Sequence, residues 1–150
     1  MGYTHYWERV TVWPDEAVKD AIQDMGEIVS RCEVLLGNGY GKGVPQVSPS
    51  LVCFNGLSDD AHETFNFELN VDHQAGIGGY QRRDGSFYFS DFAFCKTARK
   101  SYDGVVVACL LAAKHHLGDA IRINSDGTWE EEWLNGADAG CQSGVKIYEH

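Results

Sequence analysis

Positive charge is scarce in this sequence, and no hydrophobic run is long. Twelve Lys and Arg residues stand against 22 Asp and Glu residues, which gives a formal net charge of −10 at pH 7. Such an acidic balance disfavours non-specific binding to nucleic acid, which needs a basic face. No apolar run approaches the roughly 20 residues that a membrane span needs, and the first residues, MGYTHYWERV, lack the pattern of a signal peptide. We therefore expect neither membrane association nor non-specific nucleic-acid binding.

Paired cysteines are also missing. The chain has five cysteines, an odd number, and no two of them form a CxxC pair. Four of the five lie in apolar surroundings, which is typical of buried free thiols in a reducing compartment. We therefore predict a cytoplasmic protein with no metal site and no cofactor.

The composition is otherwise that of a folded domain. The 150 residues are 43% hydrophobic and include seven Tyr, seven Phe and four Trp. A chain of this length buries roughly 68–70% of its unfolded surface, so it can build a full core. We predict a single domain over residues 1–150.

Two helices are predicted. The first opens at Trp13-Pro14-Asp15-Glu16, with acids in its first turn, and its apolar residues recur at three- and four-residue steps until near Leu36. The second covers 102–117, with Ser101 as its cap and Gly118 at its end. It contains VVVACLLAA, which is apolar nearly all round and predicts burial on several sides.

Alternating and β-branched segments predict strands at 2–12, 50–54, 62–71, 87–97, 120–124 and 145–149. The turn-rich stretch at 72–86 predicts an exposed loop or hairpin tip, and WEEEW at 129–133 predicts a single helical turn. The order β-α-β-β-β-α-β favours a two-layer α+β fold, in which two helices cover a largely antiparallel sheet. A ferredoxin-like variant is the alternative arrangement.

Most of the functional signal lies in FCKTARKSYDG, residues 94–104, where Lys96, Arg99 and Lys100 fall within five positions. They precede the start of the second helix, where unpaired N–H groups carry partial positive charge. That combination is typical of a phosphate or carboxylate site. Asp103 is a competing occupant, because an acid in the first turn satisfies the same charge internally. The segment is therefore either an anion site or a self-satisfied basic turn.

Gly104 lies in the first turn of this helix and lacks a side chain, so a ligand could approach the backbone closely there. The aromatic stretch YTHYW near the N-terminus supplies rings that could stack on a base. The predicted ligand-binding residues are Lys96, Thr97, Arg99, Lys100, Ser101, Tyr102, Asp103, Gly104, Tyr3, His5 and Tyr6.

Catalytic candidates come from two histidine-containing segments. His5 could act as an acid or base near neutral pH. The cluster DDAHETF supplies His62 and Glu63, but it lacks the second histidine of a helical zinc motif, and an exposed acidic turn explains it equally well.

MGYTHYW, FNG, DDAHETF, FCKTARKSYD and SDGTWEEEW occur in this order along the chain. Together they resemble a family of small uncharacterised proteins of bacterial and phage genomes, in which Pro commonly stands at the position of Ser101. Both residues suit a helix start. The resemblance extends through Trp133 and brings no known activity, fold or cofactor. It implies a phage or bacterial accessory protein.

Three hypotheses follow from these patterns. The leading one is a protein that binds a small anionic, nucleotide-like molecule; if phage-borne, it would sequester a host signalling nucleotide in the host cytoplasm as an anti-defence protein. The second is an enzyme that acts on a phosphoester with its His, Lys and Arg residues. The third is an acidic interaction module, in which the first helix exposes its acids to a protein partner. Whether the chain is an enzyme, and whether it self-associates, is left open at this stage.

Overall fold

The computed structural model has the α+β architecture that the sequence predicts. It describes residues 3–11, 13–68, 78–81, 83, 87–90, 92–126 and 147–148. Helix α1 (Asp15–Arg31) and helix α2 (Asp103–Leu117) pack against each other. The strands in the described ranges are β1 (Thr4–Arg9), β2 (Leu36–Gly37), β3 (Gln46–Ser48), β4 (Leu51–Gly56), β5 (Phe65–Glu68), β6 (Gly78–Gln81), β7 (Phe87–Ser90), β8 (Phe92–Lys96) and β9 (Ile121–Ser125).

Helix α1 begins where the sequence indicates and ends earlier than expected. Pro14 is in an extended conformation immediately before it, and Asp15 and Glu16 occupy the first turn. The apolar stripe continues toward Leu36, but the backbone becomes extended at Cys32, and Leu36 pairs with Gly56 of β4. The predicted end near Leu36 was therefore wrong, because pairing with another strand outweighed the local helical period.

Helix α2 is buried over almost its whole length, as its apolar sequence predicts. Gly118 follows it with φ 55° and ends it, as expected. The predicted cap was wrong: Tyr102 precedes the helix, and no side chain makes a cap hydrogen bond there.

Among the described residues every strand pairing is antiparallel, but these strands form three sheets where one was predicted. The first has the order β8-β1-β9, and in the second β4 pairs with β2, β3 and β5. The third is the antiparallel β6–β7 pair, so the stretch at 72–86, predicted as an exposed loop or a hairpin tip, includes strand β6. Among the described strands, the single sheet of a ferredoxin-like variant is not formed, because β1 lies in a different sheet from β4 and β5.

The core lies between the helices and the first two sheets. Phe65 is central to it: its ring centroid lies 5.3 Å from that of Trp7 and 5.1 Å from that of Phe54. All three rings are buried. The two helices of the described ranges are too short or too polar to cross a membrane.

The chain's end differs from the sequence prediction. Ile147 and Tyr148 are helical, so the strand predicted at 145–149 was wrong at these two residues. The nearby guanidinium of Arg31 donates hydrogen bonds to both of their carbonyl oxygens. The WEEEW turn at 129–133 lies outside the described residues.

Candidate functional site

A chain of hydrogen bonds through His5 joins β9, β1 and α2. Nδ1 of His5 lies 2.7 Å from the hydroxyl oxygen of Ser125, and Nε2 lies 2.7 Å from Oδ1 of Asp103. The same carboxylate oxygen accepts a hydrogen bond from the hydroxyl of Thr97. His5, Thr97 and Asp103 are buried, whereas Ser125 is partly exposed. The order serine, histidine, aspartate is that of an activated nucleophile.

Strand register explains how residues far apart in the sequence come together in this series of hydrogen bonds. His5 lies opposite Ser125 on one side of β1 and opposite Cys95 on the other. Directly opposed residues in an antiparallel pair share a face, so the imidazole and the hydroxyl meet across the β1–β9 pair. Asp103 is the first residue of α2 and approaches the imidazole from the helix layer.

The partners of His5 indicate its tautomer. Asp103 is a carboxylate that accepts hydrogen bonds, so we assign the proton to Nε2. Nδ1 then holds a lone pair and accepts the hydrogen bond that Ser125 donates. A hydroxyl bound to an unprotonated imidazole nitrogen is the arrangement that general-base activation requires.

Asp103 is also the acid that could occupy the predicted anion site at the start of α2. Its side chain is 4% exposed and is held by Thr97 and His5. The backbone N–H of Asp103 is bound to the carbonyl of Lys100. The carboxylate is therefore bound by two side chains and not by the backbone N–H groups of the helix start, and both interpretations of this segment stay predictions.

The basic side chains lie beside this helix terminus on a tight turn. Ala98 and Arg99 have φ values of 51° and 59°, and the N–H of Lys100 donates to the carbonyl of Thr97. Consecutive left-handed residues other than glycine cost roughly 1–2 kcal/mol each. The turn places the guanidinium carbon of Arg99 4.2 Å from the centroid of the Tyr3 ring. The Tyr3 ring in turn meets the His5 ring edge-on, with centroids 5.3 Å apart.

The other two cations of the segment differ in their contacts. Nζ of Lys100 donates a hydrogen bond to the carbonyl of Asp59, and the residue is half-buried. Lys96 is exposed, and its backbone N–H binds Oε1 of Glu63. Lys96 and Arg99 are therefore the exposed cations of this turn.

Burial limits which predicted residues can touch a ligand directly. Of the predicted binding residues, Tyr3, His5, Thr97, Tyr102, Asp103 and Gly104 are buried. Their roles stay predictions, but a base cannot stack on the ring of Tyr3 or His5 in this conformation. Tyr6 is half-buried and lies opposite Phe94, whose side chain is 52% exposed. Base stacking, if this protein uses it, is better supported at Tyr6. Ser101 is half-buried.

His62 and Glu63 make structural hydrogen bonds with other segments and are not part of the Ser125–His5–Asp103 hydrogen bonds. Glu63 pairs with Lys96 through backbone and side chain, and its carbonyl accepts a hydrogen bond from the hydroxyl of Tyr102. His62 is exposed, and its backbone binds the side chain of Asn55. Within the described ranges, no three His, Cys, Asp or Glu side chains are grouped to hold a metal ion.

The thiol and phenol near the site are held in their neutral forms. Burial, followed by the charges of Glu63 and Asp103, raises the pKa of Cys95. Burial is also the main cause that raises the pKa of Tyr102. Neither group is therefore a nucleophile near neutral pH.

Sequence reasoning missed Ser125 entirely. It is 120 positions from His5, and although it begins the segment SDGTWEEEW, nothing in that segment indicates a nucleophile. The signal lay in two ordinary strands, THYWER and IRINS, whose antiparallel register brings the two residues opposite each other.

The comparisons with known proteins identify no relative: no protein-family model, no curated protein and no solved structure matches the chain.

Proposed function

We propose that this protein is a serine hydrolase that cleaves a small anionic ester. The observation that carries the proposal is the single hydrogen-bond chain from Ser125 through His5 to Asp103, with both links at 2.7 Å. Ser125 is the member of the chain that solvent and substrate can reach. The buried imidazole and carboxylate act on the substrate through this hydroxyl.

The proposed reaction proceeds in two stages. The hydroxyl oxygen of Ser125 attacks the ester carbonyl carbon, and its proton passes to Nδ1 of His5. The imidazolium, stabilised by Asp103 at Nε2, returns that proton to the alkoxide oxygen as the C–O bond breaks. Water then hydrolyses the acyl-serine in the same manner, giving a carboxylic acid and the free serine.

Thr97 is a positioning residue in this scheme. Its hydroxyl binds the oxygen of Asp103 that faces His5. This hydrogen bond fixes the carboxylate and keeps the imidazole in the tautomer that accepts from Ser125. The role is confined to orientation, since Thr97 is buried.

The anionic part of the substrate is assigned to the basic turn. Arg99 lies over the ring of Tyr3, and Tyr3 contacts His5. Because the basic turn follows β8 and Ser125 lies on β9, the substrate would extend across the end of β1. Lys96 is the second exposed cation of the segment. A carboxylate or phosphate group bound here would hold the ester in place and explain the basic cluster in an otherwise acidic chain.

A fluorophosphonate probe tests the nucleophile. We expect the intact protein to gain the mass of one probe, and peptide mapping to place it on Ser125. Ser125→Ala should abolish the modification, and Ser101→Ala is the matched control serine. Labelling of Ser101, or no labelling of the folded protein, would contradict the proposal.

Turnover is tested with p-nitrophenyl acetate, mono-p-nitrophenyl succinate and bis-p-nitrophenyl phosphate. We expect the succinate ester to be cleaved fastest, with a loss of about 10²-fold or more in Ser125→Ala. Arg99→Ala should raise KM for the succinate ester and leave the acetate unchanged. Preferential cleavage of the phosphate diester would instead support the phosphoester enzyme that the sequence left open.

A second candidate function is binding of an anionic, nucleotide-like ligand without turnover. It is supported by the stacking of Arg99 on Tyr3, because the left-handed turn holds the guanidinium in place before any ligand arrives. A phage accessory protein in the host cytoplasm that sequesters a signalling nucleotide would need such a site.

Isothermal titration with a panel of nucleoside mono-, di- and cyclic phosphates tests this second function. Arg99→Ala should weaken any detected binding about tenfold. Lys42→Ala is the matched control, since Lys42 is exposed in a different loop. Affinities that both variants leave unchanged would exclude the basic turn as the binding site.

A further inference from the structure

Among the described strands, β3 is an edge strand next to a groove. It pairs there with β4, and all three of its residues are exposed. Between this strand and α1 lies a cavity of about 690 Å³, whose lining includes Lys19, Gly26, Glu27 and Val47. An edge strand beside a helix is the geometry in which an extended peptide adds to a sheet.

The register shows which backbone groups face the groove. Ser48 pairs with Leu51 across a two-residue turn, and Val47 pairs with Val52. In antiparallel pairs, hydrogen-bonded and non-hydrogen-bonded positions alternate, and the pair next to such a turn is hydrogen-bonded. The N–H and C=O of Val47 therefore point away from β4. Within the described part of the chain, neither group has another backbone partner.

The apolar surface that an added strand would meet in the groove includes the side chain of Val47, which is 45% exposed. Val47 packs over Gly26, which is buried in α1. Gly26 is needed for this spacing, because a Cβ at that position would lie 2.9 Å from Cγ1 of Val47. The groove thus offers one backbone edge and one apolar wall, which complement an extended polypeptide.

The charges of helix α1 indicate the composition of the polypeptide that would bind here. Helix α1 carries five acids and two basic residues. Glu27 and Lys19 line the groove itself, and the acids Asp15, Glu16 and Asp20 are exposed elsewhere on the same helix. A partner segment with Lys or Arg at alternate positions would place its cations beside this helix while its apolar residues enter the groove.

We infer that the edge of β3 and the α1 groove form a docking site for an extended peptide segment with alternating apolar and basic residues. The segment adds as a strand through the N–H and C=O of Val47. The site contains none of the residues Ser125, His5 and Asp103 of the proposed hydrolase mechanism. A test of the docking site therefore does not depend on the proposed function.

A displayed library of random peptides, roughly seven residues long, selected against the whole protein tests the inference. We expect enrichment of alternating apolar and Lys or Arg residues. Val47→Pro removes the outward N–H while the hairpin bonds of β3 stay intact, and it should weaken the selected peptides at least about tenfold. Val47→Thr keeps the N–H and the β-branched shape, so it should bind like the wild type.

A second measurement does not depend on the proline variant. A selected peptide N-methylated at the positions whose N–H groups face β3 should bind the unaltered protein at least about tenfold more weakly, and methylation at the other positions should have little effect. Failure to enrich any peptide, or equal binding by Val47→Pro, overturns the inference. A dimer that Val47→Pro dissociates also overturns it, because the edge would then belong to a second copy of the chain.

Discussion

Nε2 of His5 lies 2.7 Å from Oδ1 of Asp103, and this contact joins the beginning of strand β1 to the first residue of helix α2. Both side chains are almost fully buried. The pair therefore serves the fold as well as the proposed chemistry, since each group would be costly to bury alone.

Replacing Asp103 with Ala should destabilise the protein by about 3 kcal/mol, because His5 and Thr97 would each keep a buried donor without its acceptor. Urea unfolding followed by tryptophan fluorescence measures the change. Asp119→Ala is the control: Asp119 is exposed, and its loss should cost less than about 0.5 kcal/mol. Equal effects of the two substitutions would show that the buried pair contributes nothing to stability.

Stability should fall as the pH rises above 9. Burial raises the pKa of Cys95 and Cys109 from an ordinary value of 9.0, so above that pH the unfolded chain loses protons that the folded protein keeps. Because only the native state still binds these protons, the free energy of unfolding falls with increasing pH, by about 1.4 kcal/mol per pH unit for each group.

Urea unfolding at pH 8, 9 and 10 tests this dependence. Cys109→Ala should make the free energy of unfolding fall less steeply with pH, because one of the two thiols no longer contributes. Between pH 7 and 8 the thiols should leave the free energy of unfolding nearly unchanged. Tyr102, whose pKa burial also raises, adds to the decline above its ordinary value of 10.0. A stability that is flat to pH 10 would contradict the burial of these thiols.

Two glycine substitutions should differ in the cause and the size of their cost. A Cβ at Gly56 would clash with the carbonyl oxygen of Asp60, a backbone atom, so Gly56→Ala should destabilise by about 3 kcal/mol or more. A Cβ at Gly118 meets nothing within 4 Å, but its φ of 55° and ψ of −126° form a backbone conformation that residues with a Cβ rarely adopt. Gly118→Ala should therefore cost about 2 kcal/mol through backbone strain alone. Thermal denaturation ranks the two, and a larger loss for Gly118→Ala would refute the close approach at Gly56.

Two phenylalanines provide a matched test of the core. Phe65 is fully buried between Trp7 and Phe54, so Phe65→Ala should cost about 3–5 kcal/mol. Phe94 is 52% exposed on the outer face of the β8-β1-β9 sheet, so Phe94→Ala should cost less than about 1.5 kcal/mol. Chemical denaturation at a single pH compares them.

If titration with nucleotides shows that Phe94→Ala weakens binding, the Tyr6 face is the stacking surface.

Local signals in the sequence were sufficient for several features of the fold. Pro14 with the acids after it marks the start of α1, and Gly118 marks the end of α2, because these residues have backbone preferences that operate within one turn. The alternation of Phe65, Asn66 and Phe67 predicts the faces of β5, and the structure buries the two rings and exposes the amide. The basic cluster and its competitor Asp103 were also visible in the sequence.

The tertiary structure decided the rest. It ended α1 before Leu36, because that residue gains a partner in β4, and it divided the strands among three sheets. It turned Asp103 inward, because His5 and Thr97 offer a buried carboxylate two donors that no local motif records. Above all it placed Ser125 against His5, since strand register joins residues 120 positions apart, and periodicity within a single strand carries no information about which strand will lie beside it.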